Sequence, residues 1–398
     1  MLKYIDLFCG IGGFHQAFKI LNDKYNIKSE CVFACDIDKH CRKSYLENYN
    51  ILPFDDIKKI NPKNFCNECD IICGGFPCQP FSNGGNKKNF DDERGLLFNE
   101  IIKLAVEKKP KFMFLENVKH ILKISNGLVY QYILNELDKI GYKVETFLIS
   151  PDEYGIPQQR QRIYFVCIRN DIYKNIPIKL IDKKTDNINL KSYLLKKKYI
   201  DSKYFLSGDI LDVLNAWDEF VKIFEINEKI SPTILINDIY KNYTKEQFNN
   251  LVKWRQDYLT KNYILYNKYK IQIDKWYNKY KNIISKREIY GKLEWQAGLI
   301  KEDESIFNHF IQIRQSGIRV KKNKYFPTLV AISQIPIYGK EKRYITPREC
   351  ARIQSFPDTF LLDNNDKISY KQLGNSVNVN NVITVIKSTL ELYKDYIV

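Results

Sequence analysis

Cys78 follows two glycines and sits between a proline and a glutamine, in the stretch Gly74-Gly-Phe-Pro-Cys-Gln79. A thiolate there could add to an electron-poor carbon. Pro77 fixes its own φ and withholds an N–H, which stiffens the backbone just before Cys78. Gly84 and Gly85 let the chain beyond it move, so residues 81–94, with Lys87, Lys88 and Arg94, read as a lid over a rigid nucleophile. A free cysteine is more often a small buried hydrophobe, and Cys78 gains a chemical reading only through partners. Glu116 is one, an acid directly after the apolar run Lys111-Phe-Met-Phe-Leu115. Arg160 and Arg162 are others, alternating with Gln158 ahead of the apolar run 163–168. On a strand these three would share a face, and two arginines side by side suit an oxygen-rich or anionic ligand. The plain alternatives are a helix cap for Glu116 and a charged edge strand for the arginines.

The elements that must hold these groups follow from periodicity. Residues 3–8 read as a strand, followed by Cys9-Gly-Ile-Gly-Gly-Phe14 and a helical pattern through Phe18 and Leu21. A second apolar strand, 31–35, ends in Asp36, 23 residues after Gly13. A glycine turn and an acid so spaced suit an adenosine-containing cofactor, the carboxylate holding two ribose hydroxyls. Short apolar runs at 71–73, 111–115, 144–149 and 163–168, with a helix at 100–106, continue a βαβ rhythm. In such sheets ligands bind beyond the carboxyl ends of the strands, which brings Glu116 to the same crevice as Cys78 and Gly10.

Composition narrows the class. With 398 residues, 44% hydrophobic and 14% aromatic, the chain is globular and long enough for two domains. No stretch approaches ~18 uninterrupted apolar residues, which argues against a membrane span, and the expected setting is soluble and intracellular. Ten irregularly spaced cysteines fit reduced thiols. Cys66 and Cys69 have the spacing of half a zinc site, but no second tight pair completes it and no metal is expected. A formal charge of +16 points to a polyanionic partner, nucleic acid first. Residues 241–300 hold thirteen lysines and arginines against five acids, interleaved with Trp254, Tyr258, Tyr263, Tyr266, Tyr269, Trp276, Tyr277 and Tyr280. The aromatic spacings are helical, so this reads as an insert with an aromatic core and a lysine-lined, nucleic-acid-facing outside. Helical patterns return at 347–353 and 379–392.

The ordered set Asp6-Leu-Phe-Cys-Gly-Ile-Gly-Gly-Phe14, Gly75-Phe-Pro-Cys-Gln79, Glu116-Asn-Val118, Gln158-x-Arg160-x-Arg162, Pro347-Arg-Glu-Cys-Ala351 and Gly374-Asn-Ser-Val377 resembles the cytosine-5 DNA methyltransferases over residues 1–170 and about 311–398. The resemblance implies an α/β, Rossmann-like methyltransferase fold: a mixed, mostly parallel sheet with helices on both faces, plus a smaller target-recognition domain. It divides the chain into a catalytic and cofactor-binding domain at 1–170, a recognition region with the helical insert at 171–315, and a closing segment at 316–398. It implies S-adenosylmethionine as cofactor, lined by Phe8, Gly10, Gly12, Gly13, Pro77, Leu97 and Asn375. Asp36 would hold the ribose, while Ile37, Asp56 and Ile57 frame the adenine. Ile37 stands where the family often has a bulkier aromatic.

The implied catalytic set is Cys78, adding to C6 of a cytosine, Glu116 at N3 and N4, Arg162 at O2, and Arg160 orienting Glu116 or a phosphate. Gln79, Ser82, Gly84, Arg94, Arg319 and Thr328 would contact DNA. The base that removes the C5 proton is not identified. The implied setting is a monomer in the bacterial cytoplasm, on nucleoid duplex DNA, alone or paired with a restriction endonuclease. Three rivals share parts of this pattern: a tRNA-cytosine methyltransferase of the same fold, a dinucleotide oxidoreductase, and a DNA-binding module with an inactive site. An oxidoreductase has no use for Phe76-Pro-Cys78 together with Gln158-x-Arg160-x-Arg162.

Overall fold

The computed structural model describes residues 1–63, 68–77, 96–181, 188–330 and 334–397. The chain divides into two compact units, Met1–Asn189 with Cys350–Val398, and Leu190–Glu349.

The first unit opens with the strands β1 (Leu2–Leu7), β2 (Ser29–Cys35), β3 (Ile71–Gly75), β4 (Phe112–Val118), β5 (Tyr142–Ile149) and β6 (Arg162–Arg169). They form one sheet in the order β2-β1-β3-β4-β6-β5. β1 pairs parallel with β2 and β3, and β3 with β4, whereas β6 runs antiparallel to both its neighbours. Four helices accompany these strands: α1 (Gly13–Tyr25), α2 (Lys39–Tyr49), α3 (Leu96–Lys108) and α4 (Leu128–Lys139). The strands are almost continuously apolar because both faces are covered. On one face Ile5, Leu7, Ile72, Met113, Leu115 and Phe165 pack with Phe98, Ile101 and Leu104 of α3 and with Val129, Ile133 and Leu137 of α4. On the other, Tyr4 stacks on Phe18 of α1 at 4.1 Å, and Phe112 meets Tyr393 edge-on at 5.5 Å.

Two local expectations need correction. β4 runs on to Val118, so Glu116 lies inside the strand, opposite Tyr164 of β6, rather than just past it. β6 begins only at Arg162, so Gln158 and Arg160 do not share a strand face with it. The backbone there leaves the extended form because the 3-10 turn Pro151–Tyr154 ends on Gly155, and Asp152 N–H then bonds back to the Gln158 carbonyl at 3.1 Å. Gln158 is fully buried as a result.

The second unit holds a sheet that periodicity alone did not reveal. Its strands are β7 (Thr233–Leu235), β8 (Lys292–Gln296), β9 (Phe310–Arg314), β10 (Gly317–Lys321), β11 (Ile337–Tyr338) and β12 (Arg343–Tyr344), in the order β12-β11-β9-β10-β8-β7. Its longer helices are α5 (Gly208–Val221), α6 (Lys253–Lys268) and α7 (Lys270–Ile284). As the spacing predicts, Tyr269 and Trp276 of the basic segment are core residues, packed with Trp217 and Phe220 of α5. Trp276 Nε1–H donates to the Ala216 carbonyl at 2.7 Å, and Trp217 Nε1–H to that of Tyr290 at 2.8 Å. Trp254 is instead 56% exposed. Buried Asn262 of α6 accepts from Leu235 N–H and donates to the Thr233 carbonyl, so a carboxamide satisfies the outer edge of β7.

The first unit ends with α8 (Asp366–Asn375) and α9 (Val379–Leu392). The tightest approach in its sheet is at Gly74, where a Cβ would lie 2.5 Å from the Leu7 carbonyl oxygen. Gly74→Ala therefore forces β1 and β3 apart, and denaturant titration should show a loss of about 1–3 kcal/mol.

Candidate active site

A cavity of about 570 Å³ opens at the carboxyl ends of β1 to β4, wholly within the first unit. Its floor is the turn between β1 and α1, where Phe8, Gly10 and Gly12 all have positive φ, at 51°, 55° and 84°. For an aromatic residue that conformation is uncommon, and Phe8 lines the cavity in it. Gly10 N–H donates to Asp36 Oδ2 at 2.8 Å, and Asp38 N–H donates to Oδ1 at 2.8 Å. Burial raises the Asp36 carboxyl above its ordinary range, against the pull of those two bonds. A Cβ on Gly10 would meet nothing within 4 Å, so the backbone there is an open cradle.

Gly12 serves a different purpose from the one sequence assigned to it. It does not line the cavity; a Cβ there would collide with the ring of Tyr49, whose hydroxyl donates to the Gly12 carbonyl at 3.0 Å. Beneath the turn Asp6 is fully buried. Its carboxyl accepts from Tyr45 Oη at 3.2 Å and from the backbone N–H of His15, in the first turn of α1. His15 Nδ1 lies 2.8 Å from the same Tyr45 hydroxyl. Since Gly12 offers no side chain to cap α1, Asp6 does so from β1. With no cation beside it, burial pushes the Asp6 carboxyl well up.

At the opposite wall, buried Glu116 meets Arg162 Nε at 3.1 Å. Burial raises the Glu116 carboxyl, and Arg162 and then Arg160 pull it back. Arg160 is itself buried, which lowers its pKa, and its Nη2 donates to the carbonyls of Gly374 at 2.8 Å and Ser376 at 3.0 Å. Asn117 Nδ2 donates to the Phe76 carbonyl at 3.0 Å, tying β4 to the segment that leads into Pro77. The turn 374–377 closes the cavity: a Cβ on Gly13 would lie 2.5 Å from Val377, and one on Gly75 would lie 3.3 Å from Glu116 Oε2.

The cavity thus gathers Phe8, Gly10, Gly13, Asp36, Ile37, Asp56, Ile57, Pro77, Leu97, Glu116, Arg160, Arg162 and Asn375. Ile37 is 78% exposed, so it offers an edge rather than a stacking surface. Arg319 and Thr328 lie in the second unit, and Arg319 Nε bonds Glu294 Oε2 at 2.6 Å. Cys78, Gln79, Ser82, Gly84 and Arg94 lie outside the described residues, as does Cys66. Sequence reasoning missed Cys9, Cys35, Cys41 and Gln372, which also line the cavity. Burial holds Cys35 up at about 12 and raises Cys9 and Cys41 too, so they stay protonated thiols. Only the position of Cys35 beside Asp36 signalled any of them.

A family model described as C-5 cytosine-specific DNA methylase matches residues 2–391. The chain belongs to that family. Among curated relatives of this DNA cytosine-5 methyltransferase, Type II methyltransferase M.BanI of Aneurinibacillus aneurinilyticus is 29% identical over 98% of this chain and 96% of that protein. Type II methyltransferase M.HhaI of Haemophilus parahaemolyticus is 29% identical over 95% and 91%. The S. pombe Dnmt2 methyltransferase structure shares the fold with a TM-score of 0.58 at 20% identity, covering 99% of each chain. The methyltransferase's expected α/β architecture is thereby met.

The buried acid of β1 gives a pH signature. The folded chain keeps the Asp6 proton after the unfolded chain, with a carboxyl near ~3.9, has released it. Stability from that difference is complete below about pH 4 and drains away as pH rises towards the raised folded value. In urea titrations of Asp6→Asn at pH 4.5 and 7.5, the first unit should lose less stability with rising pH than the wild type does.

Proposed function

We propose that the cavity takes S-adenosylmethionine and that Cys78, Glu116 and Arg162 methylate C5 of a cytosine flipped out of duplex DNA. The observation that carries this is one cavity lined both by an adenosine-type cradle, Gly10 and Asp36, and by a buried Glu116–Arg162 pair at the opposite wall. The residues fit the cofactor. A carboxylate offers about four acceptor positions, and Asp36 spends two on backbone N–H groups, leaving two for ribose hydroxyls. Asp56 has one oxygen on Lys58 N–H and the other for an adenine amino group. Some 570 Å³ lies within the ~300–1,000 Å³ usual for small-molecule sites.

The bound cofactor would supply an electrophilic methyl group on a sulfonium. The protein's task is to make C5 nucleophilic. The Cys78 thiolate adds to C6, and the electron pair of the C5–C6 double bond is placed on C5, where it would bond the methyl of a bound donor as the S–CH3 bond breaks and its pair stays on sulfur as a thioether. Glu116, its carboxyl raised by burial against the pull of Arg162 and Arg160, gives or shares a proton at N3 as charge builds on the ring, and Arg162 meets the O2 side. A base then takes the C5 proton, the pair re-forms C5=C6 and the Cys78 thiolate leaves. Arg160 acts on this chemistry through Glu116, whose carboxyl its charge pulls down, while its Nη2 holds the Gly374 and Ser376 carbonyls. A stacked base is out of reach of such a site, so the target leaves the helix at a cost of a few kcal/mol.

The second unit carries 30 lysines and arginines against 18 acids, a net +12 of the chain's +16, which suits a phosphate-facing surface. The Type II relatives motivate a restriction–modification setting with a partner endonuclease. Labelled methyl transfer from S-adenosylmethionine should be found on duplex DNA and not on tRNA, and bisulfite sequencing of plasmid from expressing cells should give the site. Cys78→Ser should abolish turnover while DNA binding survives; unchanged turnover would remove the mechanism. Glu116→Gln should slow turnover about 10²- to 10⁴-fold. The wild type loses its Glu116 proton as pH rises and the amide does not, so the wild-type advantage should shrink towards alkaline pH.

A further inference from the structure

Gln354 follows the helix Pro347–Ile353, is fully buried in the first unit and is not among the residues that line the cavity. Its Nε2 donates to the Leu373 carbonyl at 2.8 Å and to the Ser376 carbonyl at 3.2 Å. Arg160 Nη2 donates to the carbonyls of Gly374 and of the same Ser376. Two long buried side chains, from distant parts of the sequence, thus take three carbonyls at the end of α8, where a helix has no backbone donors of its own to offer. Those carbonyls belong to the turn whose Gly374, Asn375, Ser376 and Val377 line the cavity. The carboxamide is committed in one sense only: Oε1 is buried and accepts nothing among the described residues, so the side chain is kept as a donor.

We infer that Gln354 is a positioning residue for cofactor binding, setting the Asn375–Val377 wall through the Ser376 carbonyl that it shares with Arg160. The inference rests on the reading that S-adenosylmethionine occupies this cavity. Packing alone would be served by any side chain of this size, whereas positioning requires the N–H donors. Gln354→Met keeps the volume and removes both bonds. Gln354→Glu keeps the shape, cannot donate when ionised, and regains one donor when protonated.

The test is calorimetric titration of the full-length wild type, Gln354→Met, Gln354→Glu and Asp36→Asn with S-adenosylhomocysteine, alongside steady-state kinetics. Gln354→Met should bind about 10-fold more weakly, with KM for S-adenosylmethionine raised to match and with kcat and KM for DNA within about twofold. Gln354→Glu should approach the wild type at acid pH and fall away as pH rises, a dependence that a purely structural role does not produce. Wild-type affinity in both Gln354 variants, with Asp36→Asn weakened, would overturn the inference and leave the cofactor reading standing. Loss of thermal stability and kcat in Gln354→Met, with unchanged affinity in either variant, would likewise overturn it. A wild type that fails to bind S-adenosylhomocysteine would overturn both.

Discussion

A carboxylate taken out of water must be matched by cations or give up its charge, and burying Glu116 commits much of this chain. Arg162 answers it directly at 3.1 Å. Arg160 adds a second charge from inside the protein, and a buried guanidinium has donors of its own to satisfy. It finds the carbonyls of Gly374 and Ser376, more than 200 residues away in sequence. That choice brings the turn 374–377 against the first residues of α1 and the end of β3, where a bare Cα at Gly13 leaves room for Val377 and Gly75 sits close against Glu116. The glycines and the closing turn therefore follow from one buried charge, and they also shape the cavity.

Asp6 poses the same problem and is solved differently. No cation faces it; a tyrosine hydroxyl and a helix N–H do, and burial shifts it towards the neutral acid. A carboxyl shifted that way caps α1 under the Gly10–Gly12 turn with less standing charge beneath the cavity floor. Glu116, at the cavity wall, is raised by burial and pulled back by guanidinium charge. Two buried acids in one sheet are tuned by what surrounds them: one beneath the turn without a cation among the described residues, one at the cavity wall beside two guanidinium groups.

How much of this is legible in the sequence depends on the range of the interactions. All six strands of the first sheet show as apolar runs, and the pattern at 379–392 matches α9 from end to end, because both are signals of local spacing. Glycine turn, Asp36 and Glu116 converge as expected because strand ends in such a sheet meet at one crevice. Gln158 and Arg160 were misplaced on a strand face because a turn held by Asp152 N–H and Ser150 Oγ is invisible to a period-two rule. Tyr45, Tyr49 and Gln354 were missed for the same reason: each acts on backbone or buried groups far along the chain, and a tyrosine on a helix looks like any core aromatic. The second sheet escaped because its strands are two to five residues long.

Charge is the feature that sequence counting places least well. Residues 241–300 have an excess of eight basic groups by composition, yet Lys268 pairs with Glu228 at 2.5 Å, Lys279 with Glu219 at 2.8 Å and Lys286 with Asp209 at 2.6 Å, acids that all lie outside that window. Their fields are spent locally, and two of these lysines also cover aromatic rings: Lys268 and Lys279 lie about 5 Å over Tyr269 and Tyr280. Lys196, Lys197 and Lys198 have no carboxylate partner among the described ion pairs; Lys198 lies over Tyr199, which is 67% exposed. An attraction for phosphate is carried by charge that is both unneutralised and accessible. The net +12 of the second unit is thus distributed by its ion pairs, away from the 241–300 insert and towards clusters such as 196–198, which have no carboxylate partner among the described ion pairs.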